Sequence, residues 1–164
     1  MKGFENKAKL GFLDSLPKAS LDLPSDSLAR RCKFNFSYFE VQRDAGQDFC
    51  NWDASKLSEF IVKLKGFSKE SLSHWQQEPI GQGSGRVLSI YGAFPANSSF
   101  SHPKAVPHQV RWGRFRLNSA CRLCGFVVPK EYGNTTHACG HTFDCNTFYI
   151  VFLDEKHEFY QSKD

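Results

Sequence analysis

Apolar residues recur along this chain with two periods, and the change from one to the other predicts where helices give way to strands. The segment Lys33-Phe34-Asn35-Phe36-Ser37-Tyr38-Phe39-Glu40-Val41 alternates aromatic and polar residues over its first half, as a half-buried strand does. It is expected to open the folded domain. Beyond the turn-like Asp44-Ala45-Gly46, the oxygens of Asp53-Ala54-Ser55 can cap a helix whose apolar residues Leu57, Phe60, Ile61 and Leu64 follow the spacing i, i+3, i+4, i+7. Gly66 is expected to end that helix, and Ser68 to cap a second, short one with Glu70 in its first turn and Leu72 and Trp75 on its inner face.

From Arg86 onward the period shortens to two. Strands are predicted over residues 86–91, 110–117, 121–128 and 147–153, with a long Pro- and Ser-containing loop after the first of them. Short strands joined by turns after a pair of helices predict an α+β fold, an antiparallel sheet packed against two N-terminal helices. Residues 1–30, rich in Lys, Ser, Asp and Pro, read as a loosely ordered N-terminal arm, and residues 31–164 as a single domain.

Composition agrees with one folded globule. A chain of 164 residues has room for one adequate core, and 16 phenylalanines with 23 % charged residues argue against disorder. The longest apolar run, Phe148-Tyr149-Ile150-Val151-Phe152-Leu153, falls far short of the roughly 18 residues that span a bilayer. The first sixteen residues carry no continuous apolar stretch of the kind an export signal needs. A cytoplasmic location with no membrane partner is therefore expected, with reduced thiols or a metal site the default for the six cysteines. Cys32 and Cys50 read as ordinary small apolar residues.

The net charge of +4 is modest, but its distribution is uneven: between Pro79 and Lys130 stand Arg86, Lys104, Arg111, Arg114, Arg116, Arg122 and Lys130, with no Asp or Glu. A local field of this sign attracts polyanions. Within 111–117, period-two geometry sets Phe115 and Leu117 on one face and Trp112, Arg114 and Arg116 on the other. Guanidiniums grip phosphates and an indole can stack on a splayed base, so Lys104, Arg111, Trp112, Arg114 and Arg116 are candidate nucleic-acid contacts. The bland alternative has Trp112 in a subsidiary core and the arginines paired with carboxylates such as Asp154 and Glu155. Gly81-Gln82-Gly83-Ser84-Gly85 lacks the Gly-Lys-Ser/Thr ending of a phosphate loop and reads as a flexible connection. The strand from Cys121 brings Arg122 beside Arg114 and Arg116 across the Asn118-Ser119-Ala120 turn.

A strand of the form Trp-x-Arg-Phe-Arg-Leu, a second of the form Cys-Arg-Leu-x-Gly-Phe, and an apolar strand closing in His157-Glu158-Phe159-Tyr160 together resemble the C-terminal half of the RelE/HigB-type toxins. The likeness covers about residues 55 to 160 in element order, and the chain departs from the family in its N-terminal arm and in the loop 129–146. The resemblance implies a metal-independent endoribonuclease of a toxin–antitoxin pair, with RNA as substrate and an acidic antitoxin as partner. It also implies His157 as acid or base, Tyr160 orienting the phosphate or leaving group, and Arg122 with Arg114 and Arg116 stabilising charge.

A different class of function competes for the same backbone. Cys121-Arg-Leu-Cys124-Gly has the gap and following glycine of a zinc knuckle, and Cys139 and His141, with His137 and Cys145 nearby, could complete one structural zinc site. The chain would then be a non-catalytic, zinc-stapled domain binding nucleic acid or protein. That reading requires the strand to begin only after Cys124, because residues 121 and 124 otherwise face opposite sides. A third possibility is a purely protein-binding module that uses Trp112, Tyr91 and Phe94 as contacts.

Overall fold

The computed structural model describes residues 7–15, 28–42 and 44–161. Of the expected arm, helix α1 covers Lys7–Ser15 and a short 3-10 turn covers Leu28–Arg30, while residues 1–6 and 16–27 lie outside the described residues. Five strands follow: β1 (Lys33–Asn35), β2 (Leu88–Gly92), β3 (Arg111–Arg116), β4 (Arg122–Val127) and β5 (Thr147–Asp154). Helices α2 (Ala54–Phe67) and α3 (Leu72–Gln77) lie between β1 and β2 in sequence. The fold is α+β.

The sheet runs β1-β5-β4-β3-β2 and is mixed, which corrects the expectation of an antiparallel sheet. Its last four strands pair antiparallel, but β1 lies parallel to β5, with Lys33 opposite Thr147 and Asn35 opposite Tyr149. A short turn imposes antiparallel order on β3 and β4 alone; β2–β3 and β4–β5 are joined by long loops and β1 is separated from β5 by most of the domain, and a long connection permits either direction. β1 is also far shorter than the alternating stretch suggested. After Asn35 the chain turns, with the Ser37 N–H donating to the Asn35 side chain at 2.8 Å.

Local chemistry sets the helix ends. The Asp53 carboxylate accepts from the Lys56 N–H at 2.8 Å and starts α2 as expected. Gly66 does not stop it, however. The helix continues to Phe67 and Ser68 caps its C-terminus, the Ser68 hydroxyl donating to the Leu64 carbonyl at 2.8 Å. Helix α3 is capped instead by Ser71, which accepts from the His74 N–H at 3.2 Å, and Glu70 pairs with Arg30 at 3.3 Å. Leu57, Phe60, Leu64 and Phe67 form the buried or half-buried row of α2, and Ile61, a step of about 100° round the helix from Phe60, is 59 % exposed.

The sheet is covered on both faces. Against the helices lie Leu88, Phe115, Leu123, Val127, Phe148, Ile150 and Leu153, with Phe67 and Phe148 at 4.9 and 5.0 Å from the Phe115 ring. On the opposite face Trp112, Cys124, Phe126, Val151 and Phe152 form a second core, roofed by Phe94, Phe100 and Val106 of the loop after β2 and by Phe159. Burial on both sides explains why β4 and β5 read as nearly continuous apolar runs instead of alternating. The β4–β5 ladder shifts register between Cys124 and Gly125. A Cβ on Gly125 would stand 2.0 Å from the Tyr149 carbonyl oxygen, so only glycine fits there.

Candidate nucleic-acid interface

The second core covers only part of its sheet face. Beyond Trp112 the same face of β3 carries Arg114 and Arg116, and the β3–β4 register sets Arg116 directly opposite Arg122. The three guanidiniums thus share one corner of one face, and Arg122 feels the other two: burial first, then Arg116 and Arg114, lowers its pKa.

Their circumstances differ. Arg122 is 4 % exposed and its donors are committed to the adjoining turn, Nη1 to the carbonyls of Asn118 (2.7 Å) and Cys121 (3.0 Å) and Nη2 to that of Ser119 (3.3 Å). Arg116 is half-buried and gives Nε to the Asn118 carbonyl at 3.3 Å. Arg114, also half-buried, has no hydrogen bond or ion pair among the described residues. Its guanidinium lies 5.7 Å from the Tyr91 ring and 5.9 Å from the Tyr160 ring, which stack on each other at 4.4 Å and 6°. Burial is the main cause of a raised Tyr91 pKa, partly opposed by Arg114, and the Tyr91 hydroxyl is buried without a hydrogen-bond partner among the described residues.

Tyr160 reaches this corner because Asp154 folds the chain back after β5. The Asp154 carboxylate is fully buried and accepts three backbone N–H groups, from Lys156 (3.2 Å) and Glu158 (3.0 Å) on one oxygen and Phe159 (3.1 Å) on the other. Phe159 plugs into the second core, and Tyr160 emerges beside Tyr91. His157 sits in the turn at φ 60°, exposed, with no hydrogen bond, ion pair or ring contact to the arginines among the described residues. A left-handed conformation is uncommon for a non-glycine residue and is held here by the bonds to Asp154 on either side.

The other expected contacts lie apart. Trp112 is 1 % exposed beneath Phe94, His102 and Phe159, so its indole is a core residue and offers no face to a base. Arg111 has the opposite parity, at the far end of β3, and pairs with Glu131 at 3.6 Å. Lys104 is exposed on the loop between β2 and β3, with no contact to the arginine corner among the described residues. Gly81–Gly85 closes a turn, the Ile80 N–H donating to the Gly85 carbonyl at 3.0 Å.

The four thiol and imidazole groups of the zinc reading are not assembled. Cys121 and Cys124 are buried in different cores on opposite faces of the sheet, as regular strand geometry from residue 122 requires. Burial pushes the Cys121 thiol up to about 12 and raises that of Cys124 as well. Cys139 and His141 are exposed in a small hairpin where the Cys139 sulfur lies 3.1 Å from Nδ1 of His137. Among the described residues no three His, Cys, Asp or Glu side chains are grouped to hold a metal ion.

Two residues play roles that the sequence reading does not give them. Asp154, expected as a carboxylate for the arginines to pair with, instead caps the turn after β5, a role suited to an Asp that closes an apolar run and precedes a turn sequence. Tyr91 was singled out only as an aromatic contact. No protein-family model, curated protein or solved structure matches the chain. No helix among the described residues is long and apolar enough to cross a membrane.

Proposed function

We propose that the protein binds single-stranded RNA at the corner formed by Arg114, Arg116, Tyr91 and Tyr160. The observation that carries this reading is the Arg114 guanidinium, without a carboxylate partner among the described residues and set beside a stacked tyrosine pair. A cation that can take a phosphate next to aromatic faces that can take a base is the arrangement single strands favour. Arg122, with its donors held by the 118–121 turn, adds positive potential from behind instead of direct contact. The same cations suit the carboxylates of an acidic inhibitor protein, the antitoxin of the resemblance.

The reaction proposed for this corner is internal transesterification. The substrate's 2′-oxygen attacks the adjacent phosphorus, the bond to the 5′-oxygen breaks, and a 2′,3′-cyclic phosphate and a 5′-hydroxyl result. His157, close in sequence to Tyr160 and exposed, carries the imidazole assigned to accept and return the proton. Tyr160 orients the phosphate.

Fluorescence anisotropy with a labelled single-stranded RNA tests the binding step. Arg114→Ala with Arg116→Ala should weaken binding at least about tenfold and reduce the salt slope by about 1.4, that is, about 0.7 for each phosphate no longer neutralised. Wild-type affinity in that double variant refutes the site. Cleavage is tested separately: His157→Ala and Tyr160→Phe should slow appearance of 5′-hydroxyl ends, and wild-type protein that binds but never cleaves refutes the catalytic part alone.

A further inference from the structure

At the opposite end of β3 from Arg116, about 17 Å along the strand, a cavity of about 730 Å³ opens between α3 and the loop that follows β4. We propose that it binds a phosphomonoester of nucleotide size. The inference does not rest on the RNA-binding corner.

Three cations from three separate segments line the cavity: Arg30 before β1, Arg111 at the start of β3, and Lys130 after β4. One carboxylate, Asp144, also lines it, but its charge is already met by the Lys33 ammonium at 2.6 Å and by the Thr147 hydroxyl at 3.0 Å. With Glu70 and Glu131 counted against Arg30 and Arg111, the ammonium of Lys130 leaves the cavity an excess of positive charge. A phosphomonoester near pH 7 carries about 1.5 to 2 negative charges and presents three acceptor oxygens, to which the three cationic side chains lining the cavity can donate.

Existing partners do not block it. Arg30 pairs with Glu70 at 3.3 Å and Arg111 with Glu131 at 3.6 Å; Arg30, Arg111 and Glu131 are exposed and Glu70 is half-buried, and pairs this close to solvent contribute little. Lys130 is exposed and its ammonium makes no hydrogen bond or ion pair among the described residues. The volume exceeds what a bare phosphate needs and lies in the range of sites for small organic ligands. Ile90, Leu72 and Phe143 also line it and supply apolar wall for a sugar and base.

A phosphomonoester can arrive on a free nucleotide or at the end of an RNA chain, and the test separates them. Calorimetric titration of the full chain is made with AMP, adenosine, and a short RNA with or without a 5′-phosphate. AMP should bind saturably and adenosine at least about tenfold more weakly; if the source is an RNA end, the 5′-phosphorylated RNA alone shows that preference. Arg111→Ala with Lys130→Ala should weaken binding at least about tenfold, its thermal midpoint showing that it is folded. Glu131→Gln, which frees Arg111, should tighten binding about threefold. Equal binding with and without the phosphate, no saturation by any probe, or wild-type affinity in the double variant overturns the proposal.

Discussion

Replacing Asp154 by Asn tests the device that places Tyr160 at the arginine corner. The substitution keeps shape and volume while removing one acceptor. In the better of its two orientations the amide oxygen keeps the N–H groups of Lys156 and Glu158, and the amide nitrogen then faces the Phe159 N–H at about the 3.1 Å of the native bond, donor against donor. Two bonds change from charged to neutral acceptors, a loss of about 1 kcal/mol each, and one buried N–H is orphaned at about 1 to 3 kcal/mol. The segment cannot slide away to relieve this, because Phe159 is fully buried in the second core. The expected destabilisation is about 3 to 5 kcal/mol, or about 6 to 20 °C in melting temperature for a chain of this size. Urea unfolding followed by tryptophan fluorescence measures it, with an unchanged slope expected because the surface exposed on unfolding is the same. Asp44→Asn, exposed and without a side-chain partner among the described residues, is the control and should stay within about 0.5 kcal/mol of wild type. A shift for Asp154→Asn no larger than the control's refutes the role given to this carboxylate.

Other outcomes follow from the same geometry. Gly125→Ala should abolish folded protein, since the Tyr149 carbonyl 2.0 Å from the new carbon belongs to the sheet ladder, while Gly66→Ala, in open space within α2, should stabilise by about 0.5 to 1 kcal/mol; thermal melts of the pair decide it. With Ellman's reagent at pH 8 the exposed Cys139 and Cys50 should react in the native protein, whereas Cys32, pushed up to about 11 by burial, and Cys121 and Cys124 should wait for unfolding. Titration of all six thiols in the native state refutes that burial pattern. Burial works to raise the Asp144 pKa but is outweighed by the hydrogen bonds from Lys33, Asn146 and Thr147, and the net shift is downward. A lowered folded pKa means that its stabilisation is present above the unfolded value near 3.8 and is lost as pH falls through the folded one. Asp144→Asn should therefore flatten the acid limb of the urea midpoint below about pH 4, and an unaltered limb refutes the tie to Lys33.

The parts of the fold that were legible in the sequence are those decided locally. Strand parity alone separates Phe115 from Arg114 and Arg116, and the Asp53 oxygen alone starts α2. What escaped depended on distant partners. The direction of β1 is set by its neighbour β5 and by no residue of its own. Trp112 and Arg114 have identical parity and nearly identical sequence surroundings, yet one is core and the other is open, because Phe94, Phe100 and Phe159 come down over only half of that face. The cysteine spacing suggested a chelate only while the strand was allowed to start late; once Arg122 pairs with Asp154, the thiols must diverge.

The parallel pairing of β1 with β5 bears on synthesis. A ribosome releases Lys33 to Asn35 long before their partner exists, and β4 likewise emerges ahead of the strand that will lie between it and β1. Until Thr147 to Asp154 leave the exit tunnel, β2, β3 and β4 can form only a meander with both apolar sides unfinished. Completion then comes by inserting β5 into a waiting slot, so the nascent chain must be shielded from self-association until Asp154 has emerged.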